Sequence, residues 1–494
     1  MDIDLPDNES LFLDVQTDFY DAYGKYTSSY HPVGVMSPAL EEWLDMSITG
    51  GYVPQGQFIL HGQLDKFPYD ENDGIFQILF YPQDLSLKFL KDWPELKKAS
   101  ATVMFENRSL TVTDAKGRTM AAGLKNARAE ISDLTKPLLT VTTAAYANNE
   151  DVQDYIWNSP LDDLLGAAMR LFQISGTSDL DLKLNVPLYS KQKEVEIDGR
   201  LKFRDTTIYY PTLGYEVTGI NNRVDFTNDH IYSKASKAMI QGEEVMISAL
   251  TRESKAGEEV VFQLAGKLAA DYLLQKYDWV PNDWVSGDSM WSIDVEVPYQ
   301  PQEYLVHIDS SSDLQGVHIQ VSDKVQKAAH VDTALNVAID VLDNNGLHVE
   351  TTVKQPAQAD EAAAGLFSAY AVRDDNKLWR IDVDSGYMSG KGEFTEGLDE
   401  TKVVRLDLDH VDVHALFHGE VASAGRPTNP NNFPPLDWRV KKLRFDNIEF
   451  SNVQLKTNWS KHGMLINNLS LAGPSMTFVA VSYTHLRAHE TKEE

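Results

Sequence analysis

Cysteine is missing from these 494 residues, so neither a disulfide framework nor a thiolate metal centre can be built from them. Basic residues are scarce. The 44 Lys and Arg face 74 Asp and Glu, and a net charge of -30 argues against docking on nucleic-acid phosphates or on anionic lipid headgroups. Long apolar runs are absent too: none reaches the roughly 18 to 20 residues of a spanning helix. The longest candidates, Leu164 to Phe172 and Val260 to Leu274, are interrupted by charge. Met1 to Ser10 holds four acids and no basic segment, so it does not read as a signal peptide, and any export signal or membrane anchor is expected upstream. Apolar residues still make up 42% of the chain, enough to bury a sizeable core.

What is present is repetition. The pattern Val103-x-Phe105-x-Asn107-x-x-Leu110 returns as Val224-x-Phe226-x-Asn228-x-x-Ile231 and as Leu443-x-Phe445-x-Asn447-x-x-Phe450. Each copy reads as a strand with apolar residues two apart, a polar turn at Asn, and a second strand opening on an apolar residue. The same alternation recurs at Phe58, Leu60, Gly62 and Leu64; at Leu85, Leu87 and Phe89; at Leu180, Leu182, Leu184 and Val186; at Val195, Ile197, Gly199, Leu201 and Phe203; at Ile293, Val295 and Val297; and at Val404, Leu406 and Leu408. Between the leucines of the third run stand Asp179, Asp181, Lys183 and Asn185, the mark of a sheet with one wet face and hence antiparallel or solenoidal. A Gly-x-[Leu/Phe] step at Gly62, Gly199, Gly266 and Gly392 suggests bulges or bends in a curling sheet.

Catalytic signatures do not assemble. His410, Asp412 and His414, with His418 beyond, would share a strand face that could suit a metal, but the solvated face of an alternating strand whose other side is Leu408 and Val411 accounts for them without one. Gly386-x-x-x-Gly390-Lys391 is one residue short of a phosphate loop and has Gly392 where Ser or Thr should bind magnesium. Asp382-x-Asp384 lacks the turn glycine of a calcium loop, having Tyr387 in its place. The expectation is a protein with no enzymatic activity, no catalytic residues, no metal and no cofactor.

A family resemblance covers about residues 25 to 480. It is carried by Ser159-Pro-Leu-Asp-Asp-Leu-Leu-Gly-Ala-Ala-Met-Arg-Leu-Phe-Gln-Ile-Ser-Gly176 followed by Leu182-Lys-Leu-Asn-Val-Pro-Leu188, and by His31-Pro-Val-Gly-Val-Met-Ser-Pro-Ala-Leu-Glu-Glu-Trp-Leu44. The Ser312-Asp-Leu-Gln-Gly316 step and Phe433-Pro-Pro-Leu-Asp437 leading into Leu443-Arg-Phe445 add to it. These blocks resemble the YhdP branch of the AsmA-like proteins of Gram-negative bacteria. The resemblance implies a bridge-like lipid transfer protein, held in the inner membrane by an N-terminal helix and crossing the periplasm as a curled β-sheet with a hydrophobic groove. It implies a role in phospholipid transport and the outer-membrane permeability barrier. Partners would then be phospholipid acyl chains, the inner and outer membranes through parts outside this chain, and envelope proteins, with no nucleic acid.

The expected fold is mainly β: a long repetitive antiparallel sheet curled into a groove, taco-like or solenoidal, with a few short helices near 38–46, 160–173 and 262–277. The expected blocks are an N-terminal edge at 1–24 and β-repeat blocks at 25–176, 177–354, 355–426 and 427–480. Residues 481–494 are expected to be non-native, because Val481 to Thr491 looks like the translation of a transposase sequencing adapter. At about 12 residues per strand and turn, roughly 40 strands spaced about 4.8 Å would extend on the order of 190 Å. The candidate groove lining is Phe58, Leu60, Leu64, Leu85, Leu87, Phe89, Val103, Phe105, Leu180, Leu182, Leu184, Val195, Ile197, Leu201, Phe203, Val224, Phe226, Ile293, Val295, Leu443 and Phe445. Two other readings stand beside the lipid conduit. One is a structural β-scaffold assisting outer-membrane protein assembly; the other is a β-helix polysaccharide enzyme, which would need carboxylates clustered on adjacent rungs.

Overall fold

The computed structural model describes residues 10–29, 36–88, 92–159, 162, 170–188, 195–211, 213–254, 257–270, 284–299, 303–322, 325–354, 367–396, 402–413, 434–460, 463–473, 477–480 and 484–485. The chain divides into two compact units: unit 1 comprises 1–241 with 247–253, and unit 2 comprises 242–246 with 254–494. That division falls inside the expected 177–354 block, and the expected boundary at 176 falls inside a strand, Gln173–Pro187.

Unit 1 opens with β1 (Phe12–Tyr23) and helix α1 (Pro38–Ser47), then β2 (Ile48–Gln63), β3 (Ile75–Phe80), β4 (Gln83–Leu87), β5 (Leu96–Glu106), β6 (Ser109–Thr119), β7 (Ala122–Ile131) and β8 (Leu138–Asn148). Helix α2 (Asn149–Trp157) precedes β9 (Gln173–Pro187), β10 (Glu196–Tyr210), β11 (Tyr215–Ile220), β12 (Arg223–Thr227) and β13 (Ile231–Ile240). These strands pair antiparallel with sequence neighbours or near neighbours, as hairpin-connected strands require. Register shifts interrupt β5 with β6, β6 with β7, and β7 with β8, where Lys98, Asp114 and Asn126 take left-handed φ values of 51°, 53° and 54°. Such bulges bend a strand and increase its twist, so the curl expected of a groove-forming sheet is built into three successive strands.

The chain continues with β14 (Glu243–Ser254), which contributes residues to both units. Unit 2 then has β15 (Gly257–Ala269), β16 (Val285–Ser286), β17 (Asp288–Pro298), β18 (Val306–Ser312), β19 (His318–Gln320), β20 (Gln326–Lys327), β21 (Ala334–Val341), β22 (Leu347–Lys354), β23 (Phe367–Arg373) and β24 (Leu378–Ser385). It ends with β25 (Met388–Thr395), β26 (Val404–Asp412), β27 (Leu436–Phe445), β28 (Ile448–Ser460), β29 (Gly463–Ala472) and β30 (Thr477–Ala480). Its ladder runs antiparallel from β15 through β17, β18, β21 and onward to β26; β26 and β27 are parallel, and antiparallel pairing resumes to β30. The small β16, β19 and β20 form a separate sheet.

The helices test the sequence reading locally. α1 forms where the spacing predicts it, with Pro38 at its first position and the Ser37 hydroxyl accepting from the Leu40 amide at 3.3 Å. The helix expected at 262–277 is not one over its first half: Phe262 to Ala269 complete β15, and 271–277 lie outside the described residues. The reason is a superposed period of two, with Leu264, Gly266 and Leu268 buried and Gln263, Ala265 and Lys267 exposed. Most of 160–173 also lies outside the described residues, and Gln173 opens β9. The helix that is seen nearby, α2, begins eleven residues before that window and carries Glu150 and Asp151 in its first turn, where they complement the helix dipole.

Candidate functional site

In unit 1 the ladder register places apolar side chains in rows across one face. One row runs through Phe19, Gly56, Phe80, Val103, Val112, Ala129, Val141, Leu184 and Ile197. A second joins Thr143, Leu182, Gly199, Phe226 and Ile231, and a third joins Ala145, Leu180, Leu201 and Val224. The opposite face of the same strands carries charge. Arg204 pairs with Asp179, and Arg200 lies 3.2 Å from Asp225 and 3.9 Å from Asp181. Exposed pairs like these add about 0 to 1 kcal/mol each, so their main consequence is a face that stays wet.

Two helices sit against unit 1's strands. Leu40 and Leu44 of α1, with Met36 just before it, bury themselves against Val103, Phe105, Leu110, Ile131, Leu134, Leu139 and Val186. α2 is pinned by Asn149, whose Nδ2 donates to Thr206 Oγ1 at 2.8 Å and to the Ser175 carbonyl at 3.0 Å, while Ser178 donates to its Oδ1. Tyr155 of α2 lies 6.2 Å from Trp93, and burial pushes its phenol up to about 12. Apolar residues beneath α1 are therefore core, whereas Leu180, Leu182, Leu201, Phe203, Val224 and Phe226 remain half-buried.

Glycines in the rows serve a purpose other than bending. A Cβ on Gly199 would lie 2.1 Å from the Phe226 ring, and one on Gly56 would lie 2.1 Å from the Phe19 ring. Each glycine leaves the space that the end of a neighbouring strand's aromatic ring occupies. Gly266 and Gly392 receive Val245 and Leu406 in the same way, and Gly62 receives Tyr69. Of the four glycines expected to mark bulges, Gly62 alone takes a positive φ, of 148°.

The Asn of the repeated hairpin also has a structural task. Asn228 accepts from the Ile197 amide at 2.7 Å and donates to the Val195 carbonyl at 2.7 Å, finishing the β10 end of the ladder. Asn107 likewise accepts from the Phe76 amide at 2.9 Å. Asn228→Ala removes two hydrogen bonds at once and is expected to cost about 1 to 2 kcal/mol, read as a shift in denaturant midpoint with unchanged slope. The third copy departs from the other two. Phe105 pairs with Leu110 and Phe226 with Ile231, but Phe445 pairs with Ile448 across a two-residue turn placed one residue earlier, at Asp446 and Asn447, and Phe445 is 53% exposed.

Unit 2 carries the longest row. Register places Phe262, Val295, Ile308, Ile339, Val349, Ala371, Ile381, Gly392, Leu406, Trp438, Leu455 and Leu469 on one line across twelve strands. Every one of them is half-buried. At about 4.8 Å per strand the line is about 50 Å long. The other face bears Arg405 with Glu393 at 2.9 Å, Lys391 with Asp382 at 3.6 Å and Lys441 with Asp409 at 2.5 Å.

The sequence-predicted lining is distributed accordingly. Val103 and Phe105 lie under α1, with Leu184 and Val195 packed at the margin of that core. Phe58, Leu60, Ile197 and the other β9, β10 and β12 positions share the unit 1 face, and Leu85 and Leu87 are half-buried on β4, across bulges from Ala99 and Leu96. Leu64 is 46% exposed at the end of β2; Phe89 lies outside the described residues. Ile293 and Val295 are on the unit 2 face, and Leu443 packs beside Val411 and Phe450. Among the described residues the candidate metal strand is not assembled as a site. His410 Nδ1 is bonded to Ser389 Oγ at 2.8 Å, Asp412 lies 3.9 Å from Arg444, and His414 and His418 lie outside the described residues. Among the described residues no group of three or more His, Asp or Glu is placed to hold a metal ion, and no helix is long and apolar enough to cross a membrane.

Comparison with known proteins bears on what such a face is for. A family model described as YhdP protein matches residues 2–365. The chain belongs to the YhdP family. Over 340 residues, 68% of this chain, it is 23% identical to the intermembrane phospholipid transporter YhdP of Escherichia coli (strain K12). It spans about a quarter of that relative's length, 26%. No solved structure matches.

Placed on this YhdP-family chain, the matched segment takes in unit 1 from residue 2 onward and the unit 2 row as far as Val349. The row then continues without a break beyond the match, through Ala371, Ile381, Leu406, Trp438, Leu455 and Leu469. Most of its members were missed in selecting lining residues from sequence. The signal was present in Val306-x-Ile308, Val337-x-Ile339-x-Val341 and Ile381-x-Val383, each a plain period of two.

Proposed function

We propose that this chain is a segment of a periplasm-spanning envelope protein that carries phospholipids between the inner and outer membranes along its apolar face and so sustains the outer-membrane barrier. The single observation behind this reading is the twelve-strand row of unit 2, apolar throughout yet nowhere fully buried. An ordinary core would remove such side chains from water. Leaving them half-open makes sense if the missing cover is hydrocarbon, because each methylene that leaves water gains about 0.8 kcal/mol. A continuous row lets one acyl chain slide onto the next strand as it leaves the last, so that gain is never surrendered at once. Its length of about 50 Å exceeds the roughly 30 Å hydrocarbon thickness of a bilayer, room for more than one lipid along the line. In this reading the inner-membrane anchor lies in the longer protein, and the charged outer face stays hydrated.

Organic extraction and mass spectrometry of the chain purified without detergent test this. The expected result is at least one phospholipid per chain, restored after delipidation by incubation with vesicles. A chain that carries no lipid before or after incubation would remove the proposal.

A further inference from the structure

The half-buried row of unit 2 has a neighbouring row on each side, because residues two apart on a strand share a face. On one side the register runs Val306, Val341, Leu347, Arg373, Trp379 and Phe394. The first four are buried and the last two half-buried. Val404 and Leu436, paired with each other and two residues before Leu406 and Trp438, are half-buried as well. On the other side the order is reversed. Ile293, Ser310, Val337, Thr351, Ala369 and Val383 are half-buried, and the same line then passes into buried Gly390, Leu408, Val440 and Val453. One row farther out the pattern holds: Leu335, Val353 and Phe367 are half-buried, whereas Val411 is buried in a core with Leu408, Val440 and Val453.

Both changes fall at β24, where Trp379, Ile381 and Val383 are all half-buried. The open surface therefore does not keep to one side of the central row but crosses it. Sheet geometry gives a reason. Neighbouring strands are rotated by roughly 20 to 25°, so a straight path over a twisted face drifts from row to row. The bulge at Ser389 and Gly390, between β25 and β26, adds twist beside the change. Arg373 stands at the corner, its guanidinium 3.2 Å from Glu396 and donating to the Asn345 carbonyl at 2.8 Å. A hydrocarbon chain that followed the first row past β23 would have to run over that charge, and the central row spares it the encounter.

We propose that the acyl-chain track crosses unit 2 obliquely, lined before β24 by the central row with Val337, Thr351 and Val383, and beyond it by the central row with Phe394, Val404 and Leu436. The assignment rests on the lipid-carrying reading above and adds to it the course of the lipid across the face. Leu408, Val440 and Val453, apolar and on the same face, are core and not lining. Because the central row belongs to both halves, a chain changes sides without leaving apolar surface, and the cost of about 0.8 kcal/mol per rehydrated methylene is not incurred at the turn.

The test loads the unaltered chain from vesicles with phosphatidylcholine that carries a carbene-generating diazirine at the end of one acyl chain, irradiates it, and maps the label by peptide mass spectrometry. Label is expected at Val337 and Leu436 and at least about tenfold less at Val341 and Val440, which lie on the same two strands on the closed sides. The chain has no cysteine, so single cysteines give a second reading. Val337→Cys and Leu436→Cys are expected to react with a water-soluble maleimide in the delipidated chain and to slow about tenfold when phosphatidylcholine is loaded, while Val341→Cys and Val440→Cys stay unreactive in both states. Label confined to the central row, or as strong at Val341 and Val440 as at Val337 and Leu436, overturns the oblique course and leaves lipid carriage intact. No label anywhere on unit 2 removes the carriage reading itself.

Discussion

Phospholipid recovered with the chain is expected to fall at least about tenfold when Val349 and Ile381 are both replaced by Asp, while the melting temperature moves by only a few degrees. The two positions sit on the unit 2 row with Ala371 between them. Both are half-buried, so a carboxylate placed there keeps part of its hydration and costs the folded chain little. A passing acyl chain would have to strip that hydration away. Transfer of an unpaired charge out of water costs several kcal/mol, and each 1.4 kcal/mol of added barrier slows passage about tenfold. Val349→Ala with Ile381→Ala controls for lost contact area and is expected to retain most of the lipid. Equal lipid recovery from the Asp and Ala pairs would show that the row is not the path.

How much of this was legible in sequence differs between levels. Strand alternation was, because half-exposed antiparallel strands must show their period of two, and the residues of β9, β10 and β12 lie on one face as their spacing requires. Phe262 to Ala269 misled because buried Val260 and Val261 thicken the apolar pattern until a helical period fits as well as a strand's. The glycines misled for a different reason. A Gly in a strand is ambiguous between a bend and space for a ring, and the choice depends on which residue the neighbouring strand brings opposite. Phe226 opposite Gly199 is a fact of register, twenty-seven residues away in sequence. The third hairpin shows the same limit: a one-residue change in turn placement re-pairs Phe445 with Ile448, although the pattern of letters matches the first two copies.

The candidate site was least legible where an apolar face is covered. Period alone cannot say whether Phe105 meets a lipid or a helix, and the cover comes from α1, some sixty residues earlier in the chain. That distinction yields the second large effect. Leu40 is 0% exposed among Val103, Phe105, Leu110, Ile131, Leu134 and Leu139, so Leu40→Ala leaves a cavity that neighbours on strands cannot collapse to fill. The expected loss is about 3 to 4 kcal/mol, and Phe105→Ala is expected to lose about as much. Chemical denaturation followed by tryptophan fluorescence measures both, with Trp43 of α1 reporting on the same cluster. If Phe105 were part of an open lipid surface, its truncation would instead cost little stability and reduce bound lipid. The two variants should therefore behave alike in denaturant, and neither should change lipid recovery from the folded chain, the opposite of what is expected at Val349 and Ile381.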